Sequence, residues 1–218
     1  MKVLNLYACL GGNRLLWDDC DVTAVELDPE LAKLYQERFP NDTVIVADAH
    51  QYLLDHYKEF DFIWSSPPCP THSRARYWGS KGGTTTLKYP DMALYQEIIF
   101  LKHFADNPIK WVVENVKPYY KPLIDCKEIG RHLYWSNFKI LSPKSIRKIK
   151  ISSGKDEVKK LCEFHNYDFY QYKGEQLTNK IARNLVDYEV GKHIFDQARS
   201  IFNHYNQNQN TLFDETTI

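Results

Sequence analysis

Short apolar segments alternate with helix-like segments over about the first 140 residues, and this alternation constrains the fold more than any other feature. Five segments are nearly continuous in apolar, β-branched or aromatic residues, and we predict strands at residues 3–7, 22–26, 43–47, 60–65 and 111–114. Strands of this kind are typical of a parallel sheet covered on both faces. Helices are predicted between them, at residues 13–18, 29–39, 49–57 and 91–105. The chain is therefore predicted to adopt an α/β, doubly wound fold.

The composition limits the classes of protein to consider. A chain of 218 residues corresponds to one domain, or one domain with a small appendage. No segment approaches the roughly 20 apolar residues of a membrane-spanning helix, and the short apolar N-terminus is predicted to be a strand rather than a signal peptide. The five cysteines form no C-x-x-C pair, so we expect reduced thiols, a cytoplasmic protein and no metal site.

Three predicted strands end in residues that suit a nucleoside-containing cofactor. The first strand leads into Gly11-Gly12, where glycine lets the backbone approach a ligand closely. The second ends in Glu26-Leu27-Asp28 and the third in Asp48, whose carboxylates could accept hydrogen bonds from ribose hydroxyls and an adenine amine. The glycine turn lacks the G-x-G-x-x-G spacing, which counts against NAD. Such a cofactor is expected where the strand order reverses.

The fourth and fifth strands end in residues that suit covalent chemistry. Cys69 lies between Pro68 and Pro70, which hold the backbone extended, so the thiol is predicted to be a nucleophile beside the cofactor. Glu114 ends the next strand at the same edge, where an apolar wall would raise its pKa and let it donate a proton. The polar segment at residues 71–88 is predicted to be a mobile functional loop.

A basic segment follows the alternating region. The chain carries 28 basic and 28 acidic residues, yet residues 139–160 contain eight basic and two acidic ones, so the remainder has a net charge of −6. We interpret this segment as a phosphate-binding surface with little base readout. A last helix is predicted at residues 186–203, and the Asn- and Gln-rich tail after it is predicted to be disordered.

These motifs together resemble those of the cytosine-5 DNA methyltransferases. Residues 6–14 resemble the first cofactor motif of that family, and Glu26-Leu27-Asp28 with Asp48 resemble the second and third. Residues 65–73 resemble the Pro-Cys nucleophile motif, and Glu114-Asn115-Val116 resembles the Glu-Asn-Val motif. Residues 181–186 resemble the final motif, with Asn184 and Val186 matching. The order and spacing agree over residues 1–140 and 180–200, and the Pro-Pro-Cys and Glu-Asn-Val pair is the specific part.

The resemblance implies a Rossmann-like S-adenosylmethionine-dependent methyltransferase fold with a small appended recognition segment. It implies that the Cys69 thiolate adds to C6 of a cytosine while Glu114 engages N3, and that C5 then takes the methyl group of S-adenosylmethionine. The target base must leave the DNA duplex, so base flipping is implied. The partner is then double-stranded DNA, in a bacterial cell or a phage-infected host.

The resemblance also implies roles for particular residues. The catalytic set comprises Cys69, Glu114, Arg131 and His132. The cofactor-binding set comprises Tyr7, Ala8, Cys9, Leu10, Gly11, Gly12, Glu26, Leu27, Asp48, Ala49, Pro67, Asn184 and Val186. The DNA-binding set comprises Ser73, Arg74, Arg76, Lys81, Lys144, Arg147, Lys148 and Lys150.

The sequence departs from the family pattern at several positions and in its length. Cys9 and Arg183 replace glycines, and Asn13 replaces an aromatic residue. His132 takes the place of the second arginine of a basic motif, where Arg131 would supply the charge. Only about 45 residues separate this motif from the final one, fewer than the family's recognition region usually has. We therefore predict a catalytic domain at residues 1–138, a reduced recognition segment at 139–180, a returning helix at 181–203 and a disordered tail at 204–218.

Three alternatives and one further partner stay open at this stage. The substrate could be RNA, since a short recognition region would suit a tRNA loop. The protein could instead bind S-adenosylmethionine and DNA without turnover. An amino-methyltransferase is disfavoured, because it would carry an aromatic residue after Pro-Pro. In the tail, Gln209 is followed by Leu212 and Phe213, which resembles the peptide that bacterial proteins insert into the sliding clamp.

Overall fold

A computed structural model describes residues 1–149 and 156–214, and the side chains at positions 205 and 207–214 lie outside the description. Seven strands and seven α-helices are assigned in these residues. The strands are β1 (Lys2–Leu6), β2 (Asp21–Glu26), β3 (Thr43–Val46), β4 (Phe62–Ser65), β5 (Lys110–Val116), β6 (Lys127–Ile129) and β7 (His132–Ser136). The helices are α1 (Pro29–Arg38), α2 (Ala49–His56), α3 (Arg74–Lys81), α4 (Ala93–Phe104), α5 (Glu157–His165), α6 (Thr178–Asn184) and α7 (Tyr188–Asp214).

The strands form one sheet in the order β3-β2-β1-β4-β5-β7-β6. The five strands from β3 to β5 are parallel, and β7 and β6 add to this sheet in antiparallel pairings. The order reverses between β1 and β4, which creates a crevice at their carboxyl ends, as predicted. This topology confirms the predicted α/β, doubly wound fold.

Residues of one strand face alternately into two apolar clusters, which explains why the strands are apolar throughout. In β4, Ile63 packs in the cluster under α2 and α4, whereas Phe62 and Trp64 pack in the cluster under α7. All three side chains are fully buried. Burial of both faces stabilises the sheet and holds the carboxyl ends of its strands at fixed positions.

The helix predicted at residues 13–18 is wrong, because this segment forms consecutive turns. The Arg14 amide donates to the Gly11 carbonyl and the Trp17 amide to the Arg14 carbonyl, at 3.2 and 3.0 Å. Asn13 is buried, and its amide donates to the Asn5 side chain at 2.8 Å. A helix of six residues has little stability of its own, so these tertiary contacts decide the local conformation.

The polar segment at residues 71–88 contains a helix rather than an extended loop. Ser73 caps α3 by accepting a hydrogen bond from the Arg76 amide at 3.3 Å. The start of the segment is fixed to the chain after β5, because His72 contacts the Tyr120 hydroxyl at 2.6 Å and Tyr77 stacks on Tyr119. These contacts, which join residues distant in sequence, were not visible in the composition of the segment.

Helix α7 extends to Asp214, past the predicted start of a disordered tail at residue 204. Residues 192–214 contain neither glycine nor proline, so nothing in the sequence stops the helix there. The side chains of the clamp-like residues Gln209, Leu212 and Phe213 lie outside the description, so that prediction rests on the sequence pattern alone. In the described part of the chain, no helix is long and apolar enough to cross a membrane.

Candidate functional site

A cavity of about 1310 Å³ opens at the carboxyl ends of the parallel strands. One side carries Glu26, at the end of β2, and Asp48, at the start of α2. The other side carries Cys69, after β4, and Glu114, near the end of β5. The structure thus brings the predicted cofactor carboxylates and the predicted catalytic pair to one cavity at the reversal of strand order.

The Glu26 carboxylate joins the first turn to the end of β2. Its two oxygens accept hydrogen bonds from the Cys9 and Asp28 amides at 2.8 and 2.9 Å. Burial raises the pKa of Glu26, and the two amide donors act against that rise. Each carboxylate oxygen has a second lone pair, so Glu26 can still accept a hydrogen bond from a hydroxyl group of a ligand in the cavity.

The turn after β1 has an unusual backbone. Tyr7, Cys9 and Gly11 have φ angles of 55°, 48° and 64°, in the left-handed region that favours glycine. A Cβ atom at Gly11 would lie 2.4 Å from the Phe39 ring, so only glycine fits there. Cys9 therefore occupies a glycine-like conformation, which agrees with the family's usual glycine at that position.

The predicted cofactor residues divide into two groups. Eight line the cavity, namely Tyr7, Cys9, Glu26, Leu27, Asp48, Ala49, Pro67 and Asn184. Ala8, Leu10, Gly11, Gly12 and Val186 are buried and do not line it. A Cβ atom at Gly12 would lie 2.7 Å from the Val186 carbonyl oxygen, so these two residues join the first and final motifs by packing. Gly12 and Val186 therefore match the motifs because they pack against each other, and neither of them lines the cavity.

Cys69 is half-buried in the Pro-rich loop after β4. Its thiol lies 3.6 Å from the Asn184 Oδ1 atom at the end of α6, so the final motif reaches the predicted nucleophile. Burial raises the pKa of Cys69 to about 11, the charge of Glu114 adds to the rise, and Arg131 opposes it. The thiol is therefore neutral at pH 7 in the absence of ligand.

Glu114 is buried behind Cys69. Burial raises its pKa to about 7, against a hydrogen bond from Ser66 and the charge of Arg131, which lower it. Its neighbour His132 lies 3.7 Å away, beyond hydrogen-bond distance. Burial lowers the pKa of His132 to about 3, and Arg131 adds to this effect, so His132 is neutral. Glu114 is thus poised between its acid and its carboxylate near neutral pH.

Arg131 lies close enough to Cys69 and Glu114 for its positive charge to act on both. It lowers the pKa values of both Cys69 and Glu114, and its guanidinium donates to the Arg183 carbonyl at 3.2 Å. Arg131 and His132 line a second, smaller cavity of about 340 Å³ and not the main one. Of the four residues predicted to be catalytic, Cys69 and Glu114 line the main cavity and Arg131 and His132 line the second one.

Asn115 fixes the nucleophile loop to β5. Its side-chain amide donates to the Pro67 carbonyl at 2.9 Å, and both residues are buried. Within the Glu-Asn-Val motif, Asn115 therefore has a structural role beside the chemical role predicted for Glu114. Asn115 is thus a functional candidate beyond the predicted set, and its place directly after Glu114 in the sequence was the available signal.

Glu97 is a buried residue that the sequence analysis missed. It lies in α4 and accepts hydrogen bonds from Tyr7 at 2.5 Å, Ser65 at 2.5 Å and His50 at 2.9 Å. Its donors come from the ends of β1 and β4 and from α2, so Glu97 ties together three sides of the cavity. The sequence signal for a buried role of Glu97 was its position, as an acidic residue, on the apolar face of a predicted helix.

We expect Glu97→Gln to lower the free energy of unfolding by about 1–3 kcal/mol, because an amide offers one oxygen to three donors and adds donors of its own. Chemical denaturation would measure the change. The exposed Glu163 in α5 provides a matched control, and Glu163→Gln should leave stability unchanged. Equal stability of the two variants would contradict this role of Glu97.

The predicted DNA-binding residues lie on two separate parts of the chain. Ser73 caps α3, which carries the exposed Arg74 and Lys81, while Arg76 is half-buried and donates to the Thr86 carbonyl at 3.2 Å. Arg74 also donates to the Pro118 carbonyl at 3.1 Å. No acidic residue lies between positions 71 and 90. This positive segment directly follows Cys69.

The basic segment after β7 is only partly available to a polyanion. Lys144 and Lys148 are exposed, as predicted, and Lys150 lies outside the described residues. Arg147 differs from these lysines, because its guanidinium bonds Asp187 at 2.8 Å and the Tyr188 hydroxyl at 2.6 Å. It also stacks on the Tyr188 ring. An acidic residue after α6 thus engages the arginine that the charge count had assigned to phosphate.

Comparisons with known proteins agree with the class of protein that this site defines. A parallel sheet with acidic strand ends facing a Pro-Cys and Glu-Asn-Val wall is that of an α/β methyltransferase. Residues 1–122 match the family of C-5 cytosine-specific DNA methylases. The match covers more than half of the chain, and the chain belongs to that family. A search of curated proteins gave no match.

Several solved structures are similar to part of the chain. They include a DNMT2 variant from Spodoptera frugiperda, with 25% identity and a TM-score of 0.38, which aligns over 53% of this chain and 35% of that one. The methyltransferase EhMeth from Entamoeba histolytica has 14% identity and a TM-score of 0.36, over 53% and 38%. TrmN from Thermus thermophilus has 19% identity and a TM-score of 0.34, over 53% and 33%. The chain spans little more than a third of their lengths.

Proposed function

We propose that this protein transfers a methyl group from S-adenosylmethionine to C5 of cytosine in DNA, through a covalent adduct on Cys69. One observation carries the proposal: Cys69, Glu114 and Asn184 line the same cavity as Glu26 and Asp48. Family membership supports the reaction type, and the structure supplies the arrangement of groups. The family's description as DNA methylases favours DNA as the substrate.

The hydrogen-bond acceptors that line the cavity fit S-adenosylmethionine. When bound, that cofactor supplies an electrophilic methyl group. Glu26 would hold the ribose hydroxyls, since its oxygens keep free lone pairs, and the exposed Asp48 carboxylate would accept from the adenine amine. The cavity volume of about 1310 Å³ exceeds that of a usual small-molecule pocket, so it leaves room for a cytosine beside the cofactor. Within the described residues, no group of three His, Cys, Asp or Glu could hold a metal ion.

Cys69 and Glu114 would act together on the cytosine ring. The Cys69 sulfur adds to C6, and Glu114 in its acid form gives its proton to N3, so that the ring's electron density moves to C5. After methylation, water takes the C5 proton, the Cys69 sulfur leaves as a thiolate, and N3 returns its proton to the Glu114 carboxylate, which restores the aromatic ring and the acid form of Glu114. The covalent step replaces a difficult substitution on an electron-poor ring by easier steps.

The pKa values of this pair suggest how the thiol is activated. The negative charge of Glu114 raises the pKa of Cys69, so ionised Glu114 disfavours the thiolate. A protonated Glu114 removes this effect, while the charge of Arg131 continues to lower the pKa of the thiol. Glu114 in its acid form would therefore both favour the thiolate and serve as the proton donor.

The DNA would approach at the positive segment after Cys69 and at the exposed lysines after β7. Base flipping would bring the target cytosine into the cavity. In this proposal residues 1–138 and 181–203 form the catalytic unit, and residues 139–180 carry a reduced set of nucleic-acid contacts. The returning helix predicted at 181–203 is interrupted at residues 185–187, between α6 and α7. RNA is the competing substrate, and binding without turnover is the competing activity.

A mechanism-based trap tests the proposal. Duplex DNA and RNA that contain 5-fluorocytosine are incubated with the protein and S-adenosylmethionine, because fluorine cannot leave C5 as a proton does and the adduct persists. An adduct on DNA but not on RNA supports the proposal. An adduct on RNA alone would assign the reaction to RNA, and no adduct on either would indicate binding without turnover.

The exposed lysines predict a salt-dependent affinity for DNA with little sequence preference. Each phosphate contact contributes about −0.9 to the slope of log affinity against log salt concentration, so Lys144→Ala with Lys148→Ala should reduce the slope by about 2. Fluorescence anisotropy with two unrelated duplexes measures this slope. Arg147→Ala is a poor test, because it would break the ion pair with Asp187. An unchanged slope in the double variant would remove these lysines from the DNA surface.

A further inference from the structure

A short segment between α5 and α6 forms part of the wall of the main cavity. Gly174, Glu175 and Gln176 line it on the same side as Glu26 and Asp28. These residues belong to the region that the sequence analysis assigned to DNA recognition. Their place instead connects them to the half of the cavity where the ribose and adenine would bind.

Two side chains of this segment bond to a single oxygen of Asp28. The Tyr172 hydroxyl donates to the Asp28 Oδ2 atom at 2.7 Å, and the Gln176 amide donates to the same atom at 3.0 Å. The other Asp28 oxygen caps α1 by accepting from the Glu30 and Leu31 amides. Asp28 is thus the point at which the segment is joined to the end of β2, directly beside Glu26.

The segment folds tightly around its own tyrosine. The Gln176 backbone amide donates to the Tyr172 hydroxyl at 3.1 Å. A Cβ atom at Gly174 would lie 2.2 Å from the Tyr172 hydroxyl oxygen and 2.4 Å from its ring. Only glycine permits the backbone to pass so close to the ring, so this conformation depends on the sequence and is not a chance arrangement of a surface loop.

The Tyr172 ring connects the segment to both halves of the cavity. The ring is buried in an apolar cluster with Leu10, of the first turn, and Ile181, of α6. Helix α6 ends at Asn184, which contacts Cys69. A change in the position of this segment would therefore reach the cofactor side through Asp28 and the nucleophile side through α6.

We propose that residues 174–176 form a wall of the adenosine-binding half of the cofactor site, and that Tyr172 and Gln176 act as positioning residues through Asp28. The proposal rests on the proposed function, because it takes S-adenosylmethionine as the occupant of the cavity. It assigns cofactor binding to part of a segment whose sequence pattern indicated nucleic-acid recognition.

Calorimetric titration with S-adenosylhomocysteine and with adenosine tests this assignment. Tyr172→Phe removes the bonds of the hydroxyl to Asp28 and to the Gln176 amide, and Gln176→Ala removes one bond to Asp28. Each variant should weaken both ligands by about three- to tenfold. Equal losses for the two ligands are expected, because the wall faces the part they share. Tyr170→Phe is the matched control, since Tyr170 is exposed and does not line the cavity, and its affinities should equal those of the wild-type protein.

A double-mutant cycle separates positioning from general stability. In an Asp28→Ala background, Tyr172→Phe should cause a much smaller further loss of affinity, because the bond to Asp28 is already absent and only the bond from the Gln176 amide remains to be lost. Tyr172→Phe and Tyr170→Phe should both unfold in one cooperative transition above the titration temperature, with Tyr172→Phe the less stable of the two because it loses two hydrogen bonds. Wild-type affinity in both Tyr172→Phe and Gln176→Ala would overturn the inference and leave the proposed function intact. A wild-type protein that binds neither ligand would overturn both.

Discussion

Cys69→Ser is expected to lower methyl transfer to cytosine by at least roughly a thousand-fold, because removal of a covalent nucleophile leaves only binding and orientation. A serine hydroxyl is a far weaker nucleophile than a thiolate, and the buried cavity would not help it to ionise. Transfer of tritiated methyl groups to duplex DNA measures the rate. The 5-fluorocytosine adduct should disappear in the same variant, while S-adenosylhomocysteine affinity should change little.

Cys126→Ser provides the control for this substitution. Cys126 is half-buried beside the outer strands and does not line the cavity. Its variant should retain methyl transfer and the adduct within about twofold. Methyl transfer by Cys69→Ser at a rate near that of Cys126→Ser would show that the reaction does not pass through Cys69.

Glu114→Gln is expected to abolish most methyl transfer and, at the same time, to stabilise the folded protein at high pH. The pKa of Glu114 is about 7 in the folded state, against an ordinary value of 4.5. The folded state therefore disfavours the carboxylate, and the protein loses stability as the pH rises from about 4.5 to 7. The full cost is about 3 kcal/mol above pH 7, since each unit of pKa shift is worth about 1.4 kcal/mol.

The side-chain amide of the Glu114→Gln variant is neutral at every pH, so the gain in stability should depend on pH. We expect a gain of up to about 3 kcal/mol at pH 8 and almost none at pH 4, measured as the free energy of unfolding in urea. Glu163→Gln, at an exposed position of α5, should show no such dependence. A gain equal at both pH values would mean that the Glu114 pKa is not raised by folding. Loss of activity combined with gained stability is the usual sign of a strained functional group.

The parallel part of the fold was predictable because burial on both faces leaves a strong sequence pattern. The strand positions, the order of cofactor and catalytic motifs and the catalytic pair all came from short segments of consecutive residues. The Pro-Pro-Cys and Glu-Asn-Val motifs could be identified without knowing how the chain packs, because each motif consists of consecutive residues at the end of one strand. The predictions of secondary structure were wrong where the local pattern was weak. Residues 13–18 form turns and not a helix, and part of the predicted loop at residues 71–88 forms α3.

The contacts across long sequence distances could not be predicted in the same way. Glu97 resembled an ordinary charged residue of a helix until the fold placed Tyr7, Ser65 and His50 around it. In the sequence Arg147 is one of eight basic residues of a segment, and only the folded structure shows its ion pair with Asp187. Composition records how many charges a segment carries, but the desolvation and pairing of each charge depend on what the rest of the chain places beside it.

The sequence by itself determined the α/β fold, the family and the positions of the Pro-Pro-Cys and Glu-Asn-Val motifs, because those features are local to strands and their ends. Only the tertiary structure decided the rest. It made His132 neutral by burial, gave Glu114 a pKa near neutrality, and placed residues 174–176 at the cofactor cavity. These outcomes depend on distances and solvent exclusion between residues far apart in the chain, and such quantities exist only after folding.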